Sequence, residues 1–207
     1  MIVTEKDVLG FPDLYRRNFI NSLTGFKSLN LIGTVAPTGL SNLAPFSQVI
    51  HVGANPPLIG ILFRPNVVPR HTLENILTTG YFTLNHVQKE FVEKAHTGAA
   101  RWDISEFHAT GLEEEQISGF PAPFVKESFV KMGCKFLEKQ DIKSNGTHFI
   151  IGQIQLVICP DEFLNEDGFV DLEKAGSITV SGLDSYHFTH KIARFSYPKP
   201  YQMVTKI

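Results

Sequence analysis

The sequence predicts a mainly β protein with helical additions, built as an antiparallel barrel. Three observations predict it. Apolar runs of strand length recur along the chain, Asn-, Gly- and Pro-rich turn compositions separate them, and helical periodicity is confined to a few segments. A doubly wound α/β fold would need a helix in nearly every connection, and neither a GxGxxG nor a Walker loop occurs. With 207 residues and 43% hydrophobic content the chain can bury one substantial core, so a single domain over residues 1–207 is expected.

From Asp13 to Leu23 the residues Leu14, Phe19, Ile20 and Leu23 recur near helical spacing, and Gly25 is a stop signal. Strands are expected at Leu29–Ala36, Ser47–Val52 and Leu58–Phe63, divided by the turn compositions PTGLSN and GANPP. Thr72 reads as the N-cap of a short helix from Leu73 to about Thr79, with Leu73, Ile76 and Leu77 on its apolar face. A strand at Tyr81–His86 and a polar helix from about Gln88 to Ala99 follow.

The stretch Arg101–Ser128 reads as irregular with a few helical turns, since GFPAP interrupts any longer period; a long excursion of this kind is expected to act as a lid or an interface element. Strands return at Phe129–Lys139, Thr147–Ile158 and Ser185–Phe195. Asn145-Gly146 lies between two strand-like runs and is the preferred pair for a two-residue type I′ turn. That reading outweighs the glycosylation sequon that Asn145, Gly146 and Thr147 also spell.

Charge and cysteine content narrow the function. The 19 basic and 21 acidic side chains are scattered, with no block that could track a phosphodiester backbone, so nucleic acid is not an expected partner. Cys134 and Cys159 lack a CxxC pattern and finger-like histidine spacing, so they read as reduced, largely buried thiols. His187 and His190 would fall on opposite faces of a strand, and no metal site is expected. The longest apolar runs, about six residues, are far short of the roughly 20 that span a bilayer, and no signal peptide is apparent. A soluble cytoplasmic protein is expected.

Two stretches carry binding chemistry. At PRHTLENIL the first turn of a helix would present free N–H groups, with Arg64, Arg70 and His71 adding donors at the same mouth, which suits a phosphate. The alternative is an ordinary capped surface helix with solvated arginines. Upstream, a loop with Ser41, Asn42 and Ser47 offers polar groups, Gly39 and Ala44 permit close backbone approach, and Pro45 stiffens it. Together they suit a flat ligand with polar edges and an anionic tail; the alternative is a hairpin loop whose polar groups satisfy one another. His96 and His108 flank the excursion, each either a proton donor or a plain surface or core histidine.

The segments GLSNLAPFSQVIHVGANPPLIGILFRP, HTLENILTTGYFTLNHV, KAHTGAARWDISEFHATGL and VSGLDSYH, in this order over roughly residues 25 to 190, resemble the flavin reductase family with the FMN-binding split-barrel fold. The resemblance implies a split β-barrel of antiparallel Greek-key type, a homodimer, noncovalent FMN near the dimer interface, and flavin reduction by NADH or NADPH. It places Asn42, Leu43, Ala44, Pro45, Phe46 and Ser47 along the ribityl chain and isoalloxazine, and Arg64, Arg70, His71 and Thr72 at the phosphate. Many relatives carry Lys-Asp-Thr where this chain has Arg70-His71-Thr72.

Hydride transfer to a flavin needs stacked rings more than a titrating side chain, so no catalytic acid or base is assigned. Ser47 or its neighbours would stabilise the reduced ring, and His96 would face the nicotinamide or the flavin edge. A partner monooxygenase would fit such a reductase. Two other functions stand beside it: an FMN-binding electron carrier or sensor without nicotinamide activity, and a split barrel for another phosphorylated aromatic compound or a heme.

Overall fold

The computed structural model describes residues 1–207. Two N-terminal helices, α1 (Glu5–Gly10) and α2 (Asp13–Leu23), precede strands β1 (Lys27–Ser28), β2 (Asn30–Val35), β3 (Ser41–Phe46), β4 (Val49–Ala54) and β5 (Pro57–Phe63). Helix α3 (His71–Thr79) leads to β6 (Tyr81–His86), a 3-10 turn at Lys89–Phe91, α4 (Val92–Thr97) and α5 (Glu106–Thr110). The short strands β7 (Glu114–Glu115) and β8 (Phe124–Val125) precede the long hairpin β9 (Lys131–Ile142) and β10 (Thr147–Ile158), a 3-10 turn at Asp161–Phe163, and β11 (Thr179–Ser181) and β12 (Ser185–His187).

Seven strands form one antiparallel sheet in the order β3-β2-β6-β9-β10-β5-β4. Its two edge strands, β3 and β4, are separated in sequence by Ser47 and Gln48 alone. Three Cα steps reach at most about 11 Å, so the sheet has to curl until its edges meet, which is the split barrel the resemblance implied. At the seam the Gln48 carbonyl extends the β4–β5 ladder by accepting the Leu62 N–H at 3.0 Å, and the rings of Phe46 in β3 and Phe63 in β5 lie 4.8 Å apart across it.

Strand alternation gives the barrel two buried faces. Ile32 points inward with Ile61, Phe63, Phe82, Leu84, Cys134 and Ile150, and Leu73 and Ile76 of α3 close one end of this core. Leu31 and Leu43 point outward and pack with Val87, Phe91, Ala95, Phe107, Ile178 and Val180.

The excursion at residues 101–128 is not a loose lid but a layer fixed to that outer face. The Thr83 hydroxyl donates to the Pro123 carbonyl at 2.6 Å, and the Val125 N–H donates to Asn85 Oδ1 at 3.0 Å. Gly33 allows this approach, since a Cβ there would lie 2.2 Å from the Pro123 oxygen. Lys131, buried under the layer, pairs with Glu115.

Four sequence expectations change. SNLAPF is a strand, with Ser47 just past its end: the turn spans Ala36–Leu40, closed by the Gly39 N–H to the Ala36 carbonyl, and Pro45 is tolerated because β3 is an edge strand. The β9–β10 turn uses the four residues between Ile142 and Thr147, with only Gly146 at positive φ (73°), whereas a type I′ turn needs two such residues. The helix expected over 88–99 is a 3-10 turn followed by α4. The strand expected over Ser185–Phe195 ends at His187, beyond which ion pairs rather than a ladder hold the chain.

Candidate functional site

Helix α3 begins two residues earlier than the Thr72 cap would place it. Arg70 is the N-cap residue, and its N–H donates to Glu74 Oε1 at 3.1 Å, which fixes the start there. No side chain caps the helix, so the N–H groups of His71, Thr72 and Leu73 are the unsatisfied donors of its first turn. Thr72, relieved of capping, turns its hydroxyl to the sheet and accepts a 3.0 Å hydrogen bond from Asn42 Nδ2. One helical turn on, Asn75 Nδ2 donates to Thr34 Oγ1, also at 3.0 Å. Thr34 and Asn42 are cross-strand partners, so two buried pairs pin α3 to the β2–β3 hairpin.

The loop before α3 supplies the cations. Arg64, exposed, forms no ion pair, while the Arg70 guanidinium donates to the Pro65 carbonyl from Nε and Nη2 at 3.4 and 3.3 Å. His71 is exposed at the helix start. Arg70, His71 and Thr72 thus stand at the N-cap and first two positions of α3, and Arg64 follows the end of β5 at the start of the same loop.

The six residues Asn42–Ser47 do not share one surface. Asn42, Ala44 and Phe46 alternate with Leu43 and Pro45 along β3, and Leu43 is buried in the outer core. The outward edge of β3 is taken by acids: the Leu43 N–H donates to Glu106 Oε2 at 3.0 Å, and the Ser41 hydroxyl meets Glu114 and, at 2.9 Å, Ser105. Ser47 sits at the seam, half-buried, its hydroxyl not engaged by another residue.

His96 lies apart from this group, exposed on α4, whose Ala95 packs in the same outer core as Leu43. Its Nδ1 is 2.6 Å from the Tyr186 hydroxyl. The two residues share a cavity of about 380 Å³ with Glu93, Thr97 and Asp184. Burial first, and the Asp184 carboxylate second, push the Tyr186 hydroxyl up from its ordinary pKa. Sequence reasoning missed Tyr186, whose only signal was its place in SGLDSYH.

Burial acts elsewhere on the sheet. It pushes the His86 imidazole down to about 4, with Nδ1 3.0 Å from the Ser177 hydroxyl. Cys134 is buried in the barrel core, and burial raises its thiol pKa; Cys159 is half-buried and raised by burial and by Asp161. His187 Nε2 meets the Ser181 hydroxyl at 2.8 Å, and His190 pairs with Glu173.

Known proteins resemble this arrangement over most of the chain. A solved structure from Shewanella frigidimarina, described as a candidate flavin reductase with a split-barrel domain, is 48% identical with a TM-score of 0.93, covering 96% of this chain and all of that one. Nitrilotriacetate monooxygenase component B from Bacillus cereus shares the fold at 18% identity and a TM-score of 0.80, over 92% of this chain and 96% of that one. An uncharacterised Aquifex aeolicus protein is 29% identical over 152 residues, 72% of this chain and 76% of that protein. The family model described as the flavin reductase like domain matches residues 24–170. The chain belongs to the flavin reductase like domain family.

Proposed function

We propose that this chain is an NAD(P)H-dependent flavin reductase, a cytoplasmic homodimer of one domain per chain that holds FMN without a covalent bond. The observation that carries the reading is the Asn42–Thr72 contact, because it joins an uncapped helix start preceded by Arg64 and Arg70 to the strand that ends at Phe46, just before Ser47. Those groups fit a phosphomonoester: three backbone donors, the positive end of a nine-residue helix, and two guanidinium groups. Ala44, Phe46 and Ser47, half-buried along the inner side of β3 and at the seam, fit the flavin's ribityl chain and ring.

Bound flavin supplies the hydride acceptor. The protein's part is to orient it and keep the approach dry. In this reading Ser47 hydrogen-bonds the ring edge, and His96, which lies apart from Ser47 in its own chain with its Nδ1 near the Tyr186 hydroxyl, faces the nicotinamide or the flavin edge across the dimer. The likeness to a monooxygenase component supports an oxygenase as the acceptor of the reduced flavin.

Stopped-flow absorbance of the flavin-loaded protein, mixed anaerobically with NADH or NADPH, tests the reading. Bleaching by either nucleotide is expected. A protein that takes up FMN and is bleached by neither is a carrier or sensor, and one that takes up no flavin overturns the assignment.

A further inference from the structure

Past β12 the chain divides into an anchor and a projecting hairpin. The anchor matches basic residues to an acidic loop: His190 Nδ1 lies 3.2 Å from Glu173 Oε1, Lys191 pairs with Asp171, and Arg194 Nη2 donates to Asp167 Oδ2 at 2.5 Å. The Lys191 N–H also donates to Glu173 Oε2 at 2.8 Å, and the Arg194 guanidinium lies 4.0 Å from the Phe169 ring centroid. Each exposed ion pair is weak, but the set, with a backbone bond and a cation–π contact, fixes the direction in which the chain leaves the body.

Beyond the anchor, Phe195 pairs with Lys206, and the Ser196 N–H donates to the Thr205 carbonyl at 2.9 Å. This hairpin turns its apolar side chains to solvent: Tyr197 is 85% exposed, Met203 94% and Tyr201 fully. Ile192, in the anchor, is 96% exposed. An isolated two-stranded hairpin is at best marginally stable in water, so one with bare aromatics gains its stability from a surface to lie on.

We infer that the C-terminal hairpin is an arm that seats on a second copy of this chain. The inference rests on the homodimer proposed above and deepens it by naming the element that joins the copies. The area is sufficient. An aromatic side chain buries about 150–250 Å², so Tyr197 and Tyr201 supply roughly 300–500 Å², and Ile192, Met203 and Ile207 bring the sum to the order of the ~800 Å² per partner of a stable interface. Two-fold symmetry gives each copy an arm and a seat, so the area doubles. The chain also presents a matching surface: β4 is an edge strand paired on one side only, with Ile50 and Val52 exposed, whereas Glu106 and Glu114 engage the other edge, β3.

Sedimentation equilibrium on the full chain and on the triple variant Tyr197→Ser, Tyr201→Ser, Met203→Ser tests this. The wild type is expected to be a dimer, and the variant to show a dissociation constant raised about 100-fold with an unchanged circular dichroism spectrum. A wild type that is monomeric at tens of micromolar would overturn both the dimer and the arm. A dimeric wild type with an equally dimeric variant would overturn the arm alone. Should the variant misfold, chymotryptic cleavage of the wild type at Tyr201 over a dilution series decides: the arm predicts protection that is lost on dilution, and a rate independent of concentration overturns it.

Discussion

The Asn42 amide donates to the Thr72 hydroxyl over 3.0 Å in a buried contact that ties strand β3 to the first turn of helix α3. Asn42→Ala leaves that hydroxyl without its donor inside the protein. A loss of about 1 kcal/mol in the stability of the flavin-free protein is expected, measurable in urea melts. Because Thr72 is displaced at the proposed phosphate site, FMN should weaken more than riboflavin in fluorescence-quenching titrations. Equal weakening of both would show that the pair only shapes the barrel.

Ser47 gives the complementary outcome. Its hydroxyl serves no other residue, so Ser47→Ala is expected to leave the apo melting temperature unchanged while lowering the affinity for FMN and riboflavin alike. A lower melting temperature with intact flavin binding would assign the hydroxyl to the seam and not to the ring.

The double variant Arg64→Ala, Arg70→Ala probes charge at the helix start. Loss of two charge-assisted contacts should weaken FMN by on the order of 2–4 kcal/mol, with non-additivity included. Riboflavin, which has no phosphate, should bind as before, and isothermal titration of both ligands checks this.

His86 sets a pH dependence of stability. Burial lowers its folded pKa from 6.5 to about 4, so the unfolded chain binds the proton more readily. Stability from this group is full above pH 6.5 and declines as pH falls towards about 4, with a slope of at most about 1.4 kcal/mol per pH unit. His86→Asn keeps a polar partner for Ser177 and removes the titration. Urea midpoints across that range should fall less steeply in the variant, and parallel profiles would show that His86 is not the group responsible.

Strands with a clean apolar run were legible in the sequence: Tyr81–His86 and Thr147–Ile158 have the expected bounds. Strand β3 was not, because Ser41, Asn42 and Pro45 resemble a turn, and only its position at the sheet edge makes that composition tolerable. The helix that carries Thr72 was legible from its local periodicity, although its start was not, because Arg70 rather than Thr72 is the N-cap. The Asn42–Thr72, Thr34–Asn75 and His96–Tyr186 pairs join residues 30, 41 and 90 positions apart, and only the folded topology brings them together. The excursion over 101–128 was legible as an irregular segment, but its seating on the outer face was not, for a similar reason: its seat is Gly33, a residue whose role lies in the side chain it lacks.

The two-residue link at Ser47 and Gln48 works as a clasp on the girth of the barrel. Strands on either side of it can separate only if the whole sheet flattens, so a molecule gripping β3 and the end of β5 at once resists that opening from both sides. Its binding then appears as resistance to unfolding, about 2.7 kcal/mol at a free concentration 100 times Kd. The reduced and oxidised forms of a flavin held there would register their difference in affinity as a difference in how tightly the barrel stays shut.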